Sequence, residues 1–175
     1  MNVFALLFMA PALALAHVPG KLIDRTPLVV EDAKLSAALY GIFVTGEEHF
    51  IIKLQLDERY AAPVEVFVPH ESDLKEHRPA WALVGPGLPK PNAEELAALP
   101  ASLPDGWGAI VELNTLSPRP AFYEFVTRRF FWSSGAMNVI LPSGESEFWV
   151  FSPKKTTGKF GLGFGVCWFS AAWAS

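Results

Sequence analysis

The chain has 175 residues and a formal net charge of −4, and 51% of its residues are hydrophobic while only 18% are charged. This length fits one domain with a sizeable core, and the lack of any basic cluster disfavours nucleic-acid binding, which needs grouped Lys and Arg to neutralise phosphates. The single cysteine excludes an internal disulfide, so the fold must be stabilised by packing.

The N-terminus has the pattern of a secretory signal peptide. Residues 3–16 form an uncharged apolar run that closes on the tripeptide ALA at residues 14–16, which has the small-x-small form of a signal peptidase site. The run is too short for a membrane span. We therefore predict that residues 1–16 are removed on export, which makes His17 the first residue of an extracellular, periplasmic or cell-surface protein. The alternatives are an N-terminal anchor and a buried segment.

The next part of the chain predicts β-structure after an irregular start. Residues 17–27 are expected to be irregular because two prolines and a glycine interrupt any period. Residues 39–45 are rich in β-forming side chains, and residues 49–56 place apolar side chains at every second position, which is typical of a strand with one buried face. A turn at Gly46 joins these two runs and predicts a β-hairpin.

Two further predicted strands flank a polar loop. Apolar alternation from Val64 ends at Pro69, and a second apolar run covers residues 80–84. The ionisable side chains of the loop are His70, Glu71, Asp73, Glu76, His77 and Arg78. We interpret the loop as a solvated connection. A zinc or calcium site is the alternative, although the spacing of the histidines is not a standard one and no calcium-loop motif occurs.

Residues 88–106 are a Pro-rich excursion, because four prolines there break regular pairing. Within it, Asn92 stands three residues before Glu95 at the start of a run of good helix formers. This pattern predicts one short helix with a capping box.

The C-terminal half predicts more strands and is rich in aromatic side chains. Predicted strands cover residues 107–113, 136–141 and 148–151, and residues 122–132 are dense in aromatic side chains. The strand at residues 148–151 carries aromatic side chains on both faces, which indicates that both faces are covered. In the last strand, residues 160–166, Gly161, Gly163 and Gly165 leave one face bare, and we expect an aromatic side chain from a neighbouring strand to cover it.

Short strands, Pro and Gly turns and one brief helix predict a single all-β domain, a β-sandwich or jelly roll over residues 17–166. An apolar tail, residues 167–175, follows, and its packing on the domain and its association with a membrane stay open. No internal repeat occurs, which disfavours a solenoid or propeller.

Several short motifs carry a resemblance to a known family. They are Tyr40-Gly41, Val68-Pro69, Arg78-Pro79 and Gly85-Pro86-Gly87. With them the chain resembles an uncharacterised family of exported prokaryotic proteins, and residues 150–163 resemble the closing strands of pre-peptidase C-terminal type β-sandwiches. The resemblance implies export and a sandwich fold, and it implies no established activity. Members of the family often continue into a C-terminal membrane helix, for which residues 167–175 are too short.

No motif predicts catalysis. The hydrolase, metalloprotease and phosphate-loop patterns are absent, and Cys167 lies among apolar residues, where a thiol is usually inert. We therefore expect an exported, non-catalytic binding domain whose partner is a protein, an envelope component or a carbohydrate. Outward-facing Trp132, Trp149 and Tyr123 would provide a stacking platform for sugars, with core packing as the alternative.

The alternative function is copper binding. A free N-terminal His17 offers its α-amino nitrogen and a ring nitrogen to one metal ion, and His70, His77 or His49 would complete a three-nitrogen site suited to copper. This arrangement is similar to the histidine brace of the lytic polysaccharide monooxygenases, which are exported β-sandwich enzymes. Those enzymes usually carry disulfides, which this chain cannot form.

The copper hypothesis makes a direct prediction about the mature protein. If export leaves His17 at the N-terminus, the intact mass matches residues 17–175, and copper titration finds a tight site that His17→Ala loses, because the ring nitrogen that chelates copper together with the α-amino nitrogen is removed. The absence of a tight copper site in the wild-type protein would end the hypothesis.

Overall fold

The computed structural model describes residues 18–31, 34, 37–124 and 127–165. They form twelve strands: β1 (Val18–Leu22), β2 (Leu28–Val30), β3 (Ala37–Phe43), β4 (His49–Leu56), β5 (Tyr60–Pro69), β6 (Ala80–Pro86), β7 (Trp107–Glu112), β8 (Ala121–Glu124), β9 (Arg129–Ser133), β10 (Met137–Leu141), β11 (Gly144–Phe151) and β12 (Gly158–Phe164). One helix, α1 (Ala93–Ala98), lies between β6 and β7, and a short 3-10 turn (Ser72–Leu74) lies between β5 and β6.

The strands form two mixed sheets that pack face to face. The first sheet has the order β1-β3-β12-β5-β9-β8, with β10 also paired to β5, and the second has the order β2-β4-β11-β6-β7. Neighbours are antiparallel except β1 with β3 and β2 with β4, which are parallel. The predicted all-β sandwich with one short helix is confirmed. The predicted β-hairpin is wrong, because β3 belongs to the first sheet and β4 to the second, so the turn at Gly46 carries the chain from one sheet to the other. The predicted signal peptide, residues 1–16, and the tail, residues 167–175, lie outside the described residues.

The space between the sheets is filled by apolar side chains at every second position of the central strands. The largest fully buried ones that meet there are Phe43, Ile52, Leu54, Trp81, Leu83, Phe148, Phe160, Leu162 and Phe164. Burying one such side chain contributes about 1.5–3 kcal/mol to folding. Packing of this core therefore stabilises the fold without an internal disulfide.

The outer face of the second sheet is covered by the Pro-rich excursion. Trp149 and Phe151 are buried on this face, and half-buried side chains of the excursion, including Leu99 and Leu103, pack against their cluster. The predicted double coverage of residues 148–151 is therefore confirmed, and a loop provides the outer cover.

Helix α1 begins with the predicted capping box. The Asn92 side chain accepts a hydrogen bond from the Glu95 backbone N–H at 2.9 Å, and the Glu95 carboxylate accepts one from the Asn92 backbone N–H at 2.7 Å. Two backbone donors that a helix leaves without partners are thereby satisfied.

The outer face of the first sheet carries an aromatic cluster, formed by Ala38, Tyr40, Phe67, Phe122 and Phe131. Phe67 packs edge-on against Tyr40, Phe122 and Phe131, with ring centroids 5.1–5.8 Å apart. A Cβ atom added at Gly161 would overlap with the Phe67 ring. The expected aromatic cover over the glycine face of the last strand is confirmed at this position.

The irregular structure expected for residues 17–27 is wrong in part, because β1 occupies Val18–Leu22. The strand pairs in parallel with β3, and a register shift between Val18 and Lys21 accommodates the intervening Pro-Gly pair. A Cβ atom on Gly20 would overlap with the Tyr40 ring. The glycine that argued against a strand thus allows β1 to lie close to β3.

We expect Gly161→Ala to lower the free energy of unfolding by about 1–3 kcal/mol, because the new methyl group overpacks against Phe67. In a Phe67→Leu background the same change should cost less, because the smaller side chain leaves room. Urea unfolding of the four members of this cycle measures the coupling. Additive effects of the two substitutions would show that the contact does not limit the size of residue 161.

Candidate functional site

The polar loop between β5 and β6 holds one exposed and one buried histidine. The His70 ring is exposed and lies 4.2 Å from the Trp132 ring, measured between centroids. His77 is only 2% exposed, and its ring packs against Phe43 with centroids 5.7 Å apart. The two rings therefore lie in different surroundings, one on the surface and one in the interior.

His77 links the polar loop to the turn before β12. Its Nδ1 lies 2.8 Å from the Thr156 hydroxyl, which in turn lies 3.1 Å from the Ser152 hydroxyl. Its Nε2 is buried and has no hydrogen-bond partner within the described part of the chain. Burial, helped by the charge of Arg119, lowers the pKa of His77 to about 4. The imidazole is therefore neutral at pH 7.

Two arginines fasten the polar loop to the segment that precedes β8. Arg78 donates hydrogen bonds to the carbonyls of Asn114 and Leu116 at 3.1 and 3.0 Å. Arg119 donates to the carbonyl of His77 at 3.0 Å, and burial next to Arg78 lowers the pKa of Arg119 to about 10. These contacts fit the interpretation of the loop as a connection, but one that is anchored rather than merely solvated.

The structure separates one of the three aromatic residues predicted as a sugar platform from the other two. Trp149 is 4% exposed under the Pro-rich excursion, and its Nε1 donates to Glu147 at 2.7 Å. Trp132 is half-buried between contacts with His70 and Arg119. Tyr123 is half-buried, and the strand pairing places it on the same face of the β8–β9 pair as Trp132. Trp132 and Tyr123 are thus neighbours, and Trp149 belongs to the other sheet.

The copper site predicted at His17 stays a prediction, because His17 lies outside the described residues. Among the residues that are described, no three His, Cys, Asp or Glu side chains are grouped closely enough to hold a metal ion. The described ranges also contain no helix that is long and apolar enough to cross a membrane.

A groove of about 430 Å³ crosses one end of the outer face of the first sheet. We call it the outer groove. It is lined by Leu22 of β1, Tyr40, Gly41 and Ile42 of β3, Lys159 and Phe160 of β12, Pro69 of β5, Arg129 and Phe131 of β9, and Thr127. Its apolar rim is open to water, since Leu22 is 60% and Ile42 is 48% exposed. The aromatic cluster contributes Tyr40 and Phe131 to its walls.

The charged groups lining the outer groove are cations. Lys159 and Arg129 are both exposed there, and Arg129 makes a long ion pair of 4.0 Å with Glu71. Burial, reinforced by the charge of Glu124, raises the pKa of Tyr40 to about 12. The Tyr40 hydroxyl therefore keeps its proton at any physiological pH and can donate a hydrogen bond.

Beside the aromatic cluster, a buried carboxylate lies on the same face of the sheet. Glu65 of β5 is 4% exposed and accepts a hydrogen bond from the Ser133 hydroxyl. The Gly135 backbone N–H donates to that hydroxyl at 2.8 Å. Both side chains are buried, so this pair holds β9 and the following turn against β5 rather than facing solvent.

Sequence reasoning missed the outer groove. Its residues come from five strands, and they meet only because β12 inserts between β3 and β5. The one local signal was Lys159, a charged side chain that stands on the same face as the alternate glycines of the last strand.

We expect protein stability to fall as the pH drops from 7 to 5, because unfolding releases His77 to bind a proton near its ordinary pKa of about 6.5, whereas the folded protein binds it only near pH 4. The unfolding constant should rise by up to about tenfold per pH unit below pH 6.5 from this residue. His77→Gln should remove this component, and His70→Gln, at an exposed position, should keep it. Equal pH slopes in wild type and His77→Gln would contradict the assignment.

Comparison with known proteins gives a likeness in fold only. No family model and no curated protein matches the sequence. Among solved structures, the chain is similar to the pre-peptidase C-terminal domain of a collagenase from Bacillus anthracis, with 8% sequence identity and a TM-score of 0.44, over 84% of this chain and 97% of that one. The resemblance noted in the sequence thus has a counterpart among solved structures, and at this TM-score it carries no argument about ligand or activity.

Proposed function

We propose that this chain is an exported, non-catalytic β-sandwich domain that binds a small ligand in the outer groove. The observation that carries the proposal is the groove itself, which has a volume of about 430 Å³, largely apolar walls, and two cationic side chains, Lys159 and Arg129. Small-molecule sites typically have volumes of about 300–1,000 Å³, apolar walls and a few placed polar groups.

The exposed apolar rim of the groove is an argument for ligand binding. Leu22 and Ile42 are large apolar side chains in contact with water, and both face the same concavity. Covering apolar surface gains about 25 cal/mol per Å². A ligand lying across the groove would therefore draw much of its affinity from these two side chains and the half-buried ring of Tyr40.

The groove is built on rigid elements. Its floor belongs to β3, β12 and β5, which are adjacent in the first sheet, and Phe160 is buried in the core directly beneath it. A preformed site loses little entropy when a ligand binds.

Export and lack of catalysis are proposed from the sequence. The apolar run of residues 3–16 and its ALA terminus support export. The absence of hydrolase and nucleotide-binding motifs supports a binding role. The nature of the partner, whether it derives from an envelope component, a carbohydrate or a protein, is part of the proposal to be tested.

The neutral fluorophore N-phenyl-1-naphthylamine is a suitable probe for the apolar part of the groove. We expect it to bind the wild-type protein at one site and Ile42→Glu at least about tenfold more weakly, since that change places a charge in an apolar contact. Val29→Glu is the matched control, because Val29 is 56% exposed on β2 of the other sheet. Equal binding to Ile42→Glu and Val29→Glu would contradict the groove as the binding site.

A further inference from the structure

We propose that the ligand of the outer groove is a small amphipathic anion, a carboxylate, sulfate or phosphate attached to an apolar body, taken up as a single molecule from solution. This inference rests on the proposed function, because it assigns a chemical class to the ligand of the same groove.

The two cations stand on either side of a central strand. Lys159 belongs to β12 and Arg129 to β9, and β5 lies between them with Pro69 in the groove. Two strand spacings of about 4.8 Å separate their backbones across the sheet, and the register adds an offset of two residues along the strands, about 7 Å. Long, flexible side chains such as Lys and Arg can approach one anion from both sides over this distance, and Pro69 offers no competing charge.

Lys159 is available to a ligand anion. Within residues 18–31, 34, 37–124 and 127–165, no carboxylate lies within ion-pair distance of its ammonium group. The other lysines that form ion pairs in this range, Lys34, Lys53 and Lys155, lie outside the groove. An anion at Lys159 would therefore gain a charged partner without breaking an existing pair.

Arg129 would exchange one partner for another. Its pair with Glu71 is at the distance limit of 4.0 Å, and both side chains are largely exposed, so the pair is worth little. Glu124 stands opposite Arg129 in the β8–β9 register, but its carboxylate is buried and accepts a hydrogen bond from the Thr127 backbone N–H. The weak partner of Arg129 is thus on the surface, where a ligand can replace it.

The apolar walls and the charge balance of the chain narrow the ligand class further. Leu22 and Ile42 are apolar and exposed, so a fully polar anion would leave both side chains in contact with water. The chain as a whole carries a net charge of −4, whereas the charged side chains of the groove are positive. This local positive charge concentrates anions at the groove.

A matched pair of probes separates the apolar from the anionic contribution. 8-Anilino-1-naphthalenesulfonate is N-phenyl-1-naphthylamine with an added sulfonate. We expect the double variant Lys159→Gln/Arg129→Gln to bind the sulfonate roughly tenfold more weakly than wild type, from a loss of roughly two- to fivefold at each exposed charge. The neutral probe should bind the double variant within about twofold of wild type. The control Lys154→Gln/Arg25→Gln makes the same change in net charge at exposed positions outside the groove.

Glu71→Gln provides a test with the opposite sign. It removes the competing partner of Arg129, so affinity for the sulfonate should rise about two- to threefold while affinity for the neutral probe stays constant. A purely structural role of Glu71 would not change the two probes differently.

The outcomes distinguish the two proposals. If neither probe distinguishes Ile42→Glu from wild type, the proposed function fails. If the neutral probe binds in the groove but the sulfonate loses no affinity in Lys159→Gln/Arg129→Gln, the anion inference alone is overturned. Displacement of the sulfonate by monomeric decanoate supports uptake from solution, and displacement only by phosphatidylglycerol vesicles would overturn it in favour of a lipid surface.

Discussion

The close contact between the Phe67 ring and the backbone of Gly161 is the constraint on which the first sheet depends. Glycine at this position lets the Phe67 ring approach the central strand β12 closely, and the other rings of the aromatic cluster then pack around Phe67. The sheet thereby gains a second apolar layer on its outer side. Tyr40 and Phe131 in that layer also form walls of the outer groove, so packing and binding share the same side chains.

The features that could be predicted from the sequence are those that local pattern determines. Alternating apolar residues predicted strands, the Asn92–Glu95 spacing predicted the capped helix, and the alternate glycines of the last strand predicted that an aromatic ring covers its outer face. The strand β1 was missed because its Pro-Gly pair opposes strand structure locally, and only pairing with β3 overrides it. The groove was missed for a related reason, since its residues meet through an order of strands that no local pattern encodes.

The polar loop between β5 and β6 shows how a cluster of ionisable side chains can stabilise the fold by binding neighbouring segments. Arg78 and Arg119 bind backbone carbonyls rather than facing a cleft, and His77 is turned inward to Thr156. Such side chains satisfy polar backbone groups where strands end and segments cross. A concentration of His, Arg and Glu in one loop is therefore weak evidence for chemistry until the partners of each side chain are known.

The central position of the last strand has a consequence for how the protein is made. Because β12 lies between β3 and β5, the first sheet has a gap until the chain has been synthesised as far as residue 164. Until then β3 and β5 expose open edges, which are templates for mispairing. Contacts between strands so distant in sequence also form slowly. The first sheet can therefore be completed only after residues 158–164 have been synthesised.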